Sequence, residues 1–223
     1  MLVSLNDVTK YTAKATDLSA PVEDVFVDQN DWSVNYVSID IGGWFENKSA
    51  IIAADRVRAI DAERRDIQIS LTEAEAADAP DLDSGDGIEP AKAGLMLDYK
   101  DKRGSRPPAG ATANPSATRY VSVAHTVGLD AYKGETQVGR IVDLLMDPEN
   151  LTVSHVVIDT GTTLAKTQKV IPVSTLDHID IAKGRAVVSA TQKQIEDGPA
   201  LESYERLDRN WMDRVAAYYG LTG

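Results

Sequence analysis

The sequence predicts an all-β protein of two small β-barrels, about six strands each, with a flexible linker and a C-terminal amphipathic α-helix. Three observations predict it. A hairpin pattern, VGRIVDLLMDPENLTVSHVVIDTG, fills Val138–Gly161, with two apolar, β-branched runs around the turn residues Asp147, Pro148, Glu149 and Asn150. The same pattern occurs 119 residues earlier, and Leu18–Pro80 aligns onto Gln137–Pro199 without a gap. Finally, short strand-like runs recur at spacings of about 8–12 residues, as in small barrels and sandwiches.

The repeat rests on identities spread along its length. They include Asp24/Asp143, Asp28/Asp147, Val34/Val153, Val37/Val156, Ile39/Ile158, Asp40/Asp159, Gly42/Gly161 and Ile60/Ile179. Upstream, a one-residue shift matches Val3-Ser4 with Val121-Ser122, which assigns one extra residue to the turn near Gly134. In copy 1, residues 1–80, the expected strands are 11–15, 22–27, 34–40, 50–53, 57–61 and 67–70. In copy 2, residues 119–199, they are 129–132, 138–146, 152–159, 169–172, 176–181 and 186–189. Thr72 and Thr191, each followed by polar residues, are placed to cap a short helix that closes each copy.

Between the copies, residues 81–118 mix Pro90, Pro107, Pro108 and Pro115 with five glycines, a linker composition expected to be mobile. Its apolar stretch Gly94–Tyr99 is a candidate for docking on a barrel. In residues 200–223, Tyr204, Leu207, Trp211, Val215 and Tyr218 follow spacings of 3, 4, 4 and 3, one stripe of a helix, and Gly220 suits its end.

Charge and composition exclude several function classes. The 223 residues carry a net charge of −12, and residues 1–80 hold 15 acidic against 7 basic side chains, so nucleic acid is not an expected partner. The absence of cysteine removes disulfides, thiolate metal sites and cysteine nucleophiles. Neither a signal peptide nor an apolar run near the roughly 20 residues of a membrane helix is found. The expectation is a cytoplasmic protein without direct membrane insertion.

Candidate chemistry is sparse. Asp24/Asp28 and Asp143/Asp147 lie four apart on a strand, about 13 Å, too far for one metal to bridge. Asx bonds at the hairpin turn and backbone anchoring explain them better. His125, His155 and His178 show no ligand spacing, and His155 aligns with Tyr36, a packing position. Asp81–Asp86 has Gly85 at the fifth place of a calcium loop and no Glu at the twelfth. Nucleophile elbows and phosphate loops do not occur. No cofactor, metal or catalytic residue is therefore expected. Two groups remain as partner-binding candidates: Trp44 with Phe45 at a hairpin end, and the tail stripe Tyr204, Leu207, Trp211, Val215 and Tyr218. Each also suits burial on its own barrel, and the tail suits exchange with a second subunit.

Copy 2 resembles a PRC-barrel domain, through Gly134, Val138–Asp143, the Asp147 turn, His155–Asp159 and Ile171-Pro172. Copy 1 looks like a diverged member with Ala20 where a glycine is expected; Asp40–Trp44 resembles the end of the family's central hairpin. Bacterial proteins with two such domains have similar Tyr- and Glu-rich endings. The resemblance implies barrels that hold a protein surface and do not catalyse. Relatives are the cytoplasmic domain of the photosynthetic reaction-centre H subunit and the C-terminal domain of a ribosome maturation factor. The leading expectation is a non-catalytic protein-binding or scaffold module, including a homodimer. The alternatives are a peripheral subunit on the cytoplasmic side of an inner-membrane complex, H-subunit-like, and a metal-dependent or hydrolytic enzyme.

Overall fold

A computed structural model describes residues 1–42, 49–77, 120–161, 167–180, 183–201, 204 and 207–220. The expected linker, with Gly94–Tyr99 and the Asp81–Asp86 stretch, lies outside them, as do Trp44 and Phe45. In the first half, β1 (Val3–Ser4) runs into the helical turn α1 (Leu5–Val8). Then come β2 (Thr12–Lys14), β3 (Ser19–Asp28), β4 (Val34–Asp40), β5 (Ser49–Ala53), β6 (Val57–Asp61), β7 (Asp66–Ile69) and α2 (Glu73–Ala77). The second half repeats the order with β8 (Tyr120–Ser122), α3 (Val123–Thr126), β9 (Asp130–Lys133), β10 (Thr136–Asp147) and β11 (Thr152–Asp159). It continues with β12 (Gln168–Pro172), β13 (Leu176–Asp180), β14 (Arg185–Val188) and α4 (Gln192–Glu196), and the helix α5 (Arg209–Tyr218) follows.

The protein is mostly β, in two six-strand mixed sheets. Their orders are β5-β4-β3-β2-β7-β6 and β12-β11-β10-β9-β14-β13. Among the described residues only β2 with β7 and β9 with β14 run parallel in their sheets. One long strand carries each sheet: β3 pairs β2 through Ser19–Pro21 and β4 through Val22–Val27. Register breaks at Val22/Asp24 and at Ile141/Asp143, equivalent positions, let each long strand change direction there. Thr191 caps α4 with a full capping box, its side chain accepting from the N–H of Gln194.

The central turns are Asx turns. Asp28 accepts from the N–H of Asn30 at 2.9 Å, and Asp147 from that of Glu149 at 3.0 Å. Near the end of each turn a bulky residue sits at positive φ, Trp32 at 60° and its equivalent Leu151 at 55°. The two turns meet: Val153 N–H donates to the Trp32 carbonyl at 2.8 Å, and Val34 N–H to that of Leu151 at 2.7 Å. Those bonds are related by the same 119-residue offset, so the halves face each other across a pseudo-two-fold axis.

The extra residue of the second copy is not in the turn. Both hairpins close around two residues: Lys133 pairs Thr136 around Gly134-Glu135, and Ala15 N–H donates to the Leu18 carbonyl at 2.8 Å around Thr16-Asp17. The added length sits instead in a bulge between Gln137 and Gly139, which copy 1 lacks. Gly139 takes φ 152°, and a Cβ there would overlap Ile158 Cγ2 and come within 2.8 Å of the Asp159 carbonyl oxygen. Ala20 occupies the equivalent place in the regular ladder of copy 1.

The leading strand of each half, β1 and β8, pairs in the sheet of the other half. β1 pairs β10 in the second sheet, Val3 opposite Met146, and β8 pairs β3 in the first, Val121 opposite Val27. Each half thus lends its leading segment to the other. Leu5, Ile39, Ile67, Ile141, Leu144, Ile158, Ile171 and Ile179, each at most 1% exposed, belong to a single apolar cluster spanning both halves. Burial of each such side chain contributes roughly 1.5–3 kcal/mol, so the shared core binds the halves tightly.

Candidate functional site

A group of polar residues lies where each leading segment crosses to the other sheet. Ser4 caps α1, accepting from the Asp7 N–H at 3.0 Å, and donates its own proton to Asp143 Oδ2 at 2.5 Å. Asp143 Oδ1 accepts from the N–H of Asn6 at 3.0 Å and of Leu144 at 2.7 Å. The Tyr204 hydroxyl also reaches this carboxylate. In the pseudo-symmetric place, Ser122 caps α3 and donates to Asp24, which also accepts from the N–H of Ala124 at 3.0 Å and of Val25 at 2.8 Å. The register break in each long strand turns the aspartate toward the crossing segment.

Burial raises the pKa of both Asp24 and Asp143 above the ordinary carboxylate range; the serine and backbone donors offset part of that rise. Desolvation, together with the neighbouring Asp143 charge, pushes the Tyr204 hydroxyl well above its usual value.

Ser122 also lies 3.0 Å from His125 Nδ1, so a serine, a histidine and an aspartate touch. Their order is wrong for a nucleophilic triad. Asp24 bonds the serine itself and does not orient the imidazole, and Ser122 is only 1% exposed. The cluster holds a strand crossing.

The C-terminal helix covers the outer face of the second sheet. Asp208 caps α5 by accepting from the Trp211 N–H at 2.8 Å, so the helix starts later than the apolar stripe suggested and leaves Tyr204 and Leu207 ahead of it. Leu207, Trp211 and Val215 are buried against Leu2, Leu145, Val157 and Val170 of their own chain. His155 lies beneath Trp211, ring centres 5.8 Å apart, and burial lowers its pKa to about 4. At the equivalent place in the first sheet, Tyr36 meets Tyr120 edge-on at 6.1 Å. Of the tail candidates only Tyr204 and Tyr218 reach the surface, at 36% and 44% exposure; the Tyr218 hydroxyl donates to the Gln194 carbonyl at 3.1 Å.

The described residues bring no three His, Asp or Glu side chains into a metal-holding group. Among them no helix is long and apolar enough to cross a membrane. The serines that complete the clamps escaped sequence reasoning, although the shifted Val-Ser identity marked both. No protein-family model matches the chain, and no curated protein matches it.

Proposed function

We propose that the protein is a non-catalytic protein-binding scaffold built from two PRC-type barrel domains. The supporting observation is how the buried and half-buried carboxylates are used. Asp24 and Asp143 hold the crossing segments, Asp28 forms an Asx turn, Asp66 bonds Lys14 at 2.7 Å, and Asp180 accepts from the Lys183 N–H at 3.0 Å. Acid–base chemistry needs a carboxyl or imidazole aimed at a space where substrate fits. These groups are instead spent on the frame.

The tail supplies the contact surface in this reading, through Tyr218 and Tyr204 above the buried part of the stripe, together with Trp44 and Phe45. Tyrosine suits this use, since it offers a large rigid contact area at low entropy cost. The experiment is affinity capture from native cells with the full chain, comparing wild type with Tyr218→Ala and with the pair Trp44→Ala, Phe45→Ala. A specific protein should be retained by wild type and reduced at least tenfold in one variant. Retention of the same protein by all variants rejects this surface, and retention of none by wild type rejects the scaffold reading.

A further inference from the structure

We infer that the interaction surface between the halves also accepts the complementary half of a second copy, giving a closed dimer by reciprocal exchange. This inference does not rest on the scaffold reading. Its basis is that the interface is built from contacts between one half and the other. Val3-Ser4 lies on β10 and Tyr120–Ser122 on β3. Ser4 meets Asp143, and Ser122 meets Asp24. Trp32 and Leu151 accept from Val153 and Val34. Gln29 binds the backbone of Ile179, accepting from its N–H at 2.6 Å.

Each contact is satisfied equally well when residues 1–77 belong to one chain and residues 120–220 to another. The second chain then returns the same contacts with its remaining halves, so every strand keeps the partners it has in the single chain. The covalent path allows both arrangements: residues 78–119 have a contour of up to about 140–150 Å. Concentration then decides between them, because exchange within a chain competes with exchange between chains. The shared apolar core makes interconversion slow once either form has folded, since the halves separate only by exposing that core.

The test begins with wild-type chain refolded at low and at high concentration, with masses read by light scattering after dilution to a common concentration. A species of twice the chain mass is expected only from the concentrated sample, persisting after dilution. A monomer at every concentration overturns the inference. Connectivity is read by co-refolding Val3→Cys chains with Met146→Cys chains, which face each other in the ladder of a protein without native cysteine. Oxidation should join residues 3 and 146 of different chains. Val121→Cys with Val27→Cys repeats the test at the equivalent ladder, guarding against a pair that disturbs folding. A dimer that forms neither crosslink is surface docking and overturns the exchange.

Discussion

Ser4 and Asp143, 139 residues apart in sequence, share a 2.5 Å hydrogen bond in which the serine also caps the helical turn behind it. One hydroxyl thereby fixes both a local bend and a long-range crossing. Ser4→Ala should lower stability by about 1.5–3 kcal/mol, the usual range for a hydrogen bond to a charged group. Asp143→Ala, which strands Ser4 and two backbone donors, should lower it by more, at about 1–3 kcal/mol for each donor left unsatisfied. Urea unfolding of both variants and of the double variant gives the coupling; strictly additive losses would show that the pair is not a unit.

Acid should loosen the C-terminal cover. His155 has a folded pKa of about 4 against an ordinary 6.5, so only the unfolded chain is protonated between those values. Its contribution is complete above about pH 6.5 and is lost as pH falls towards 4, by roughly 3 kcal/mol over the window. His155→Tyr, borrowing the residue at the equivalent Tyr36, should remove that part of the slope. Stability curves of wild type and variant that stay parallel from pH 4 to 6.5 would refute this.

Asp24 and Asp143 act with the opposite sign. Their folded pKa values are raised, so each favours the fold most when protonated and loses that advantage as pH rises through the raised value. Asp24→Asn should flatten this alkaline-going decline, at the loss of one of the two oxygens that accept from Ser122 and from the Val25 and Ala124 N–H groups. The check is the difference in unfolding free energy between variant and wild type across the carboxylate range.

Gly139 and Ala20 should answer differently to exchange of their residues. Gly139→Ala forces a Cβ against Ile158 and the Asp159 carbonyl at φ 152°, and should cost about 2–4 kcal/mol. Ala20→Gly, within a regular ladder, should cost about 1 kcal/mol from chain entropy. Thermal unfolding of the two variants decides whether the bulge or the sheet interior is the more demanding site.

Trp211→Ala should destabilise by about 3–5 kcal/mol, because the ring fills the space over His155, 6% exposed. Faster hydrogen exchange should follow in β11 and β12, which lie under α5. Unchanged exchange there would show that the helix is not a structural cover.

The strands were legible because alternation and turn chemistry act locally, and because each pattern occurs twice. β4, β11 and β6 have the expected ends, and the other repeated strands differ by a few residues. The crossings were not legible. β1 and β8 are two and three residues long, too short for a period, and Val-Ser is the same whichever sheet receives it. The clamps were half visible: Asp24 and Asp143 read as backbone anchors, but their serine partners required knowing which sheet the chain crosses to. The tail stripe ran on through Tyr204 because those spacings continue past Asp208, where a capping carboxylate starts the helix.

The exchange of leading strands also has a consequence for biosynthesis. The edge of β3 from Phe26 to Asp28 is completed by residues 120–122, so the first half leaves the ribosome with that edge bare. At about 5–20 residues per second, translating the segment up to Tyr120 takes roughly 2–8 s. Through that interval the nascent chain carries an unpaired strand and an uncovered apolar face, the condition in which stray pairing with a neighbouring nascent chain begins. Codon choice between Ala77 and Tyr120 therefore sets how long the first half waits for its missing strand.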